Sequence, residues 1–167
     1  MKKFINVNLV NGDFNIDIFK EGITGYYVKK VKNSRPEFIY LKLTTGAILK
    51  IFSTINDLGD WDEVGSLCIE KVNDDDGEIQ FFQVGEGWLE VKKISKLILD
   101  DDNVRVECGL RLENGCSQVI NILPSSFPNA IELDAEFYTD SFDSECDIDN
   151  YLQYLYAPAV GSTQRNK

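Results

Sequence analysis

Apolar and polar residues alternate along most of this chain, and such alternation predicts β-strands. The first example covers residues 5–18, where apolar residues at every second position flank the pair Asn11-Gly12. A two-residue turn at this pair would place Leu9 opposite Phe14 and gather the apolar side chains on one face. The sequence therefore predicts an N-terminal hairpin with one dry and one wet side.

Further segments show the same alternation, separated by short turns rich in Asn, Asp and Gly. Strands that recur at such short spacing indicate an antiparallel β protein. The fold class is therefore mainly β (α+β), an antiparallel sheet or β-sandwich built from hairpins. These strands are predicted at residues 26–31, 37–43, 47–52, 66–72, 78–84, 88–99, 104–112, 117–123 and 130–137.

Two segments depart from this pattern. Residues 55–64 fit either a short helix or a loop. Residues 144–157 begin with Ser144 and Asp147 at capping-box spacing, and apolar residues then recur at helical intervals until Pro158. We predict a short C-terminal helix there, although the tyrosines of this segment also fit an alternating strand.

A weak internal repeat is visible in the sequence. Residues 28–31 resemble residues 91–94, and residues 41–46 resemble residues 110–115. Each copy reads as strand, turn, strand, tight turn and strand. The fold is therefore either an internally duplicated unit or a set of hairpins that resemble one another because all hairpins do.

The length of 167 residues suits one domain, predicted at residues 1–160 and followed by a flexible tail at 161–167. A domain of this size buries about 70% of its unfolded surface, so its core needs neither a disulfide nor a metal. No apolar run is long enough to span a bilayer, and the start of the chain resembles a strand more than a signal peptide. We therefore expect a cytoplasmic protein and a monomer.

The four cysteines form no CxxC pair, which favours reduced thiols packed as small apolar groups. Cys108 and Cys116 flank the pair Asn114-Gly115. If that pair forms a two-residue turn, the two thiols face opposite sides of a hairpin. A disulfide between them is not expected.

Charge divides the chain into two unlike parts. The net charge is −11, yet residues 1–52 hold nine basic against four acidic side chains. No lysine or arginine occurs between Arg111 and Arg165. This acidity argues against nucleic acid and against an anionic membrane as partners, because both require clustered cations. A fold that keeps the two parts separate would have a polarised field.

The residues that most enzymes need are missing from this sequence. It has no histidine, no GxSxG elbow and no phosphate-binding glycine loop. Counted from Asp143 as a calcium loop, the sixth position is Ile148 and the twelfth is Tyr154, where glycine and glutamate are required. We therefore predict no catalytic residue, no metal and no cofactor.

The leading candidate site is the acidic segment, which we define as residues 132–149. Its eight carboxylates alternate with aromatic residues, a composition that suits a basic protein partner. Phe137 and the nearby Tyr151 are expected in the core, while Tyr138 and Phe142 are equally compatible with core or surface. The candidate partner-binding residues are Glu136, Tyr138, Asp140, Phe142, Asp143, Glu145, Asp147 and Asp149.

A compact acidic β protein without catalytic residues, with strands such as residues 110–112 before Asn114-Gly115, resembles the immunity proteins of bacterial toxin–immunity systems, including those of contact-dependent inhibition. The resemblance is one of overall character and transfers no binding residue. It implies a toxin inhibitor that covers a basic toxin domain, commonly a nuclease. The alternatives are a non-catalytic β scaffold that self-assembles, and a metal-dependent enzyme that uses clustered carboxylates.

Overall fold

In the part of the chain that the structure describes, the protein consists of two packed β-sheets and has no helix beyond short 3-10 turns, which confirms the mainly β prediction. The computed structural model describes residues 1–11, 13–30, 35–59, 62–74 and 77–156. The predicted tail at 161–167 lies outside the described residues. In the described part of the chain, no helix is long and apolar enough to cross a membrane.

Twelve strands are described, and most of them match the alternating segments of the sequence. Three 3-10 turns, Ile16–Glu21, Glu86–Leu89 and Ile148–Asn150, connect some of them. The strands are β1 (Lys3–Ile5), β2 (Asn8–Val10), β3 (Ile23–Lys30), β4 (Pro36–Leu43), β5 (Ile48–Gly59), β6 (Asp62–Val72), β7 (Phe82–Gln83), β8 (Val91–Asp100), β9 (Val104–Asn114), β10 (Val119–Pro124), β11 (Ile131–Ala135) and β12 (Leu152–Leu155).

The first sheet has the order β2-β6-β5-β4-β3-β7, and the second has the order β11-β10-β9-β8-β12 with β1 beside β9. Within the first sheet, β3 to β6 form an antiparallel meander in which each strand pairs with the next. Strands β8 to β11 form a second such meander in the other sheet. The architecture is therefore two similar meanders packed on each other.

The tight turns of the two meanders have the same hydrogen bonding. In the turn after β4, the amide of Leu43 donates to the carbonyl of Ala47 at 2.8 Å. In the turn after β9, the amide of Asn114 donates to the carbonyl of Gln118 at 3.1 Å. Leu43 and Asn114 are thus equivalent positions, and each turn spans three residues rather than two.

The sequence repeat aligns the two meanders in the wrong register. The match of residues 41–46 with 110–115 is two residues out of step with the equivalent turns. The other match fails as well, because Val28 lies near the end of β3 whereas Val91 begins β8. The resemblance of the two halves lies in strand order and turn geometry, not in these short identities.

The main core lies between the sheets and draws on both. Alternate residues of the central strands point into it, among them Leu41 of β4 and Leu112 of β9, both 0% exposed. Two 3-10 turns add large rings, Phe19 and Trp88. A smaller cluster forms around Cys108 and contains side chains from β6, β8, β9 and the C-terminal part of the chain.

The predicted N-terminal hairpin is wrong. Strand β1 pairs in parallel with β9, strand β2 pairs in parallel with β6, and the expected second strand contains the 3-10 turn Ile16–Glu21. Between the two strands, the amide of Val7 donates to the Glu107 carboxylate at 2.9 Å. Asn11 has a left-handed backbone with φ 71°, so the chain does bend there, but its two arms do not pair.

Neither of the two segments considered as helices forms an α-helix among its described residues. Residues 55–64 continue β5 and β6, with residues 60–61 outside the described residues. The C-terminal helix is instead the turn Ile148–Asn150 followed by β12. Of the residues expected on the helix face, Tyr151 is 5% exposed but Leu155 is 66% exposed. A single buried tyrosine gives a helix too little apolar surface to bury. As a strand, β12 instead forms backbone hydrogen bonds with β8.

All four cysteines are free. The two-residue turn predicted at Asn114-Gly115 is wrong, because Glu113 pairs with Val119 and the loop is longer. Cys108 is buried and Cys116 is exposed, so neither is placed to bridge the other. Burial raises the pKa of the Cys108 thiol to about 12, which keeps it protonated and unreactive.

Candidate partner-binding surface

The acidic segment begins as β11 and then crosses the ends of several strands without regular structure. A tight turn joins the Tyr138 amide to the Ala135 carbonyl at 3.1 Å. The chain then returns to β10, where Ser144 forms an isolated bridge with Ser125. Its candidate residues consequently do not share one strand face but are distributed along a looped path.

Basic residues from the N-terminal half lie directly against this path. Lys30, at the end of β3, forms an ion pair with Asp140. Arg35 lies 3.1 Å from Asp143 and 3.8 Å from Glu132. The fold therefore brings basic and acidic parts of the chain together here, and part of the predicted charge separation is cancelled within the molecule.

The Asp143 carboxylate is well satisfied. It accepts a hydrogen bond from the Ser126 hydroxyl at 2.7 Å and from the Arg35 guanidinium at 3.1 Å. The Ser126 hydrogen bond, aided by Arg35, lowers the pKa of the Asp143 carboxyl, although partial desolvation opposes them. Asp143 therefore stays charged but already has an internal partner.

Glu145 performs a structural role. Its carboxylate accepts the Gly65 amide, at 3.0 Å to one oxygen and 3.3 Å to the other. Burial raises the pKa of the Glu145 carboxyl, and the Gly65 hydrogen bond only partly offsets this effect. Of the candidate acids, it is the one tied to strand β6, where it supports the fold.

Glu136 and Tyr138 are also engaged. Glu136 is exposed and accepts from the Gln118 side-chain amide at 2.6 Å. Tyr138 is half-buried, and its hydroxyl donates to Asp140 at 3.0 Å. The Tyr138 ring meets Tyr26 edge-on at 6.1 Å, so this aromatic packs against the first sheet while its hydroxyl remains on the surface.

Two aromatic residues, Phe137 and Tyr151, were predicted to lie in the core, and the structure buries one fully and the other partly. Tyr151 is buried in the smaller cluster, and Phe137 is half-buried against the main core. Phe142, left open between core and surface, packs half-buried against the smaller cluster. Part of its ring remains available to a partner.

Asp147 and Asp149 differ from the other candidate acids. Both are exposed, and neither has an ion-pair partner among the described residues. Together with Phe142, Ile148 and Asn150 they line a depression of about 370 Å³. We call this depression the acidic depression. It offers unpaired carboxylates around partly exposed apolar groups.

Sequence reasoning missed a second surface, on the outer face of the first sheet. There Tyr27 stacks on Tyr40 at 6.1 Å, and Phe38 lies 4.8 Å from Tyr40. The Lys50 ammonium sits over Phe38 at 4.6 Å and over Phe52 at 5.5 Å. The signal was present in the sequence, because aromatic residues and lysines occupy the alternate, outward positions of three consecutive predicted strands.

No known protein guides the choice between these surfaces. A scan against family models, a search of curated proteins and a search of solved structures find no match to this chain. Among the described residues, no three metal-binding side chains come together. The two surfaces offer carboxylates that can meet a cation and aromatic rings that can make apolar contacts.

Proposed function

We propose that this protein is a cytoplasmic immunity protein that acts as a monomer and neutralises a basic toxin domain. The observation that carries the proposal is the acidic depression, where Asp147 and Asp149 are exposed beside Phe142 and Ile148. Unpaired carboxylates gain most from a cationic partner, because no internal ion pair has to be broken first. Apolar groups among them supply the contact area that holds a complex together.

The paired acids contribute less to this surface. Asp140 and Asp143 already meet Lys30 and Arg35, so a partner's cation has to exchange with an existing one. Glu145 supports strand β6 through Gly65. We therefore place the centre of the proposed interface at the acidic depression, with Glu136, Tyr138 and Asp140 toward its edge.

The test is the association rate with a basic toxin domain encoded beside this protein. Asp147→Asn combined with Asp149→Asn should slow association about three- to tenfold at low salt, because steering weakens as the charge is removed. The difference should shrink as salt rises. Asp102→Asn with Glu78→Gln removes the same charge at exposed positions elsewhere and is the matched control.

Each result has a separate meaning. Equal rates for the two double variants would remove the acidic depression from the interface but leave the function standing. Failure of the wild-type protein to bind or inhibit any adjacent basic domain would contradict the function itself.

A second candidate function is self-assembly, favoured by strand β12. This strand lies at the edge of the second sheet, and all four of its residues are exposed. Leu152, Tyr154 and Leu155 are apolar, and unpaired edges of this kind pair readily with other strands. Light scattering across a hundredfold range of protein concentration distinguishes the candidates, since a constant monomer mass excludes assembly.

A further inference from the structure

A second concavity lies beside the acidic depression, between the first sheet and the loop after β11. Its volume is about 360 Å³. Its lining includes two basic residues, Lys30 and Arg35, together with Glu132, Tyr138 and Asp140. We call it the Glu132 cavity.

The charges around this cavity do not balance. Lys30 pairs with Asp140, and Arg35 pairs with Asp143. Glu132 is the third carboxylate, and its partner is the same Arg35 nitrogen that pairs with Asp143, at the longer distance of 3.8 Å. With every group ionised, two cations face three carboxylates, so one negative charge remains unmatched.

The unmatched charge is buried. Glu132 is only 2% exposed. One of its oxygens accepts the Asp143 amide at 3.3 Å, while the other has no donor within hydrogen-bond distance among the described residues. Burial raises the pKa of the Glu132 carboxyl, and the nearby Ser125 hydroxyl and the Asp143 amide only partly oppose this rise. A buried carboxylate oxygen without a donor is costly, so a donor that reaches it gains free energy.

Arg35 does not close this gap. Its guanidinium is held by Asp143 at 3.1 Å and lies 3.9 Å above the Phe127 ring. The distance of 3.8 Å to Glu132 exceeds that of a hydrogen bond. Because Arg35 keeps both other contacts, it can tilt away from Glu132 and admit another donor.

We propose that the Glu132 cavity binds one cationic side chain, a lysine ammonium or an arginine guanidinium, which donates to Glu132. Tyr138 and Asp140 line the same cavity and contact the same group. One added cation balances the three carboxylates. This inference rests on the proposed function, in that the natural donor is a basic side chain of the toxin domain.

The experiment uses small probes in place of the toxin domain. Nα-acetyl-arginine amide and Nα-acetyl-lysine amide are titrated into the ¹⁵N-labelled full chain, with Nα-acetyl-citrulline amide as the uncharged control. Saturable shifts at the amides of Tyr138 and Asp143 are expected with at least one cationic probe, but not with citrulline. Shifts that do not saturate, or equal shifts with citrulline, would overturn the inference.

Substitution localises the site. Glu132→Gln should weaken probe binding about tenfold, since a charge-assisted hydrogen bond becomes a neutral one. Tyr138→Phe is a second variant that leaves the buried carboxylate in place and should weaken binding by a smaller factor. Glu78→Gln, at an exposed position, should have no effect. Unchanged affinity in both Glu132→Gln and Tyr138→Phe would overturn the inference.

The results distinguish failure of the cavity inference from failure of the proposed function. If no cationic probe binds but a toxin domain still depends on Asp147 and Asp149, the cavity inference fails and the function stands. If a cationic probe binds through Glu132 but no basic domain is recognised, the proposed function fails and the cavity remains a cation site.

Discussion

Gly65 is the residue through which the acidic segment is anchored to the first sheet. Its amide donates to Glu145, and its missing side chain leaves room for Pro124. A Cβ built on Gly65 would lie 2.6 Å from the Pro124 Cβ, closer than such atoms approach. A single glycine therefore sets both the distance between β6 and β10 and the position of the partly buried Glu145 carboxylate.

Gly65→Ala should destabilise the protein by about 1–3 kcal/mol, because the added methyl group forces β6 and β10 apart. Urea denaturation measures the change. Gly115→Ala is the matched control, since a Cβ there meets nothing closer than a flexible lysine side chain at 3.4 Å. Equal stability of the Gly65 variant and the wild type would contradict the close approach.

The Glu145 carboxyl gives a pH-dependent prediction. Its pKa is raised above the ordinary 4.5 by burial, so the folded state binds its proton more tightly than the unfolded state. The stability from this group is complete below pH 4.5 and is lost as pH rises through the raised pKa. Glu145→Gln should therefore gain stability relative to wild type between about pH 4 and pH 7.

Asp143 provides a comparison of opposite sign, because hydrogen bonding lowers the pKa of its carboxyl from 3.8. Asp143→Asn should lose stability relative to wild type as pH rises toward 3.8, and the difference should stay constant at higher pH, because the stability from this carboxylate is complete above its unfolded pKa and is lost only as pH falls through the lowered one. Urea midpoints of the three proteins at several pH values give the slopes. Parallel pH profiles for all three would contradict both assignments.

The sequence alone does not show which acidic residues already form hydrogen bonds or ion pairs within the protein. In β11, strict alternation would turn Glu132 toward solvent between Ile131 and Leu133, yet all three residues are buried. The reason is that the acidic segment folds back over its own strand, so the amide of Asp143 covers Glu132. Such a contact depends on the path of an irregular loop, which the hydrophobic pattern does not encode.

At the scale of elements, the meanders were predictable because each strand pairs with its neighbour in sequence. Alternation and turn residues are local signals, and they locate β4, β6, β9 and β10 well. Alternation predicted strand structure at the start of the chain but not the parallel partners of β1 and β2, because alternation indicates a half-buried strand and not its neighbour. Strand β12 was predicted as a helix because the apolar residues around it follow helical spacing. Leu152 and Leu155 are nevertheless exposed, so this spacing does not mark a buried helix face.

The backbone amides of strand β12 should be weakly protected from hydrogen exchange. Its four residues are exposed and it pairs only with β8, whereas β9 lies inside the second sheet and is mostly buried. Hydrogen exchange should therefore be fast in β12 through local opening and slow in β9, where exchange requires global unfolding. Equal protection in the two strands would contradict this ranking and point to a covered edge.

For the whole molecule, the charge division of the sequence does not translate into two opposite surfaces. Lys30 and Arg35 pair with the acidic segment, while Lys50 lies among aromatic rings on the outer face of the first sheet. Asp147 and Asp149 are among the exposed carboxylates that have no ion-pair partner in the described part of the chain. Composition showed an acidic segment but not which of its acids are paired, because ion pairing depends on the tertiary fold.

The shared core predicts that both sheets unfold together. Because the main cluster contains residues of both meanders, neither sheet keeps its buried face when the other is lost. In a Trp61→Phe background, fluorescence of the buried Trp88 should report the same urea midpoint as far-ultraviolet circular dichroism. Two separated transitions would show that the sheets are independent units and contradict the prediction of one domain.

The parallel pairing of β1 and β2 has a consequence for synthesis on the ribosome. Asn8 meets Cys68, and Lys3 meets Val104, so each strand has to wait until a distant partner has left the exit tunnel. Until then their backbones stay unpaired and open to proteases or other nascent chains. The partner of β2 emerges well before that of β1, so β1 waits the longest. Because the core is shared, β2 gains a stable place only when the second meander has emerged as well.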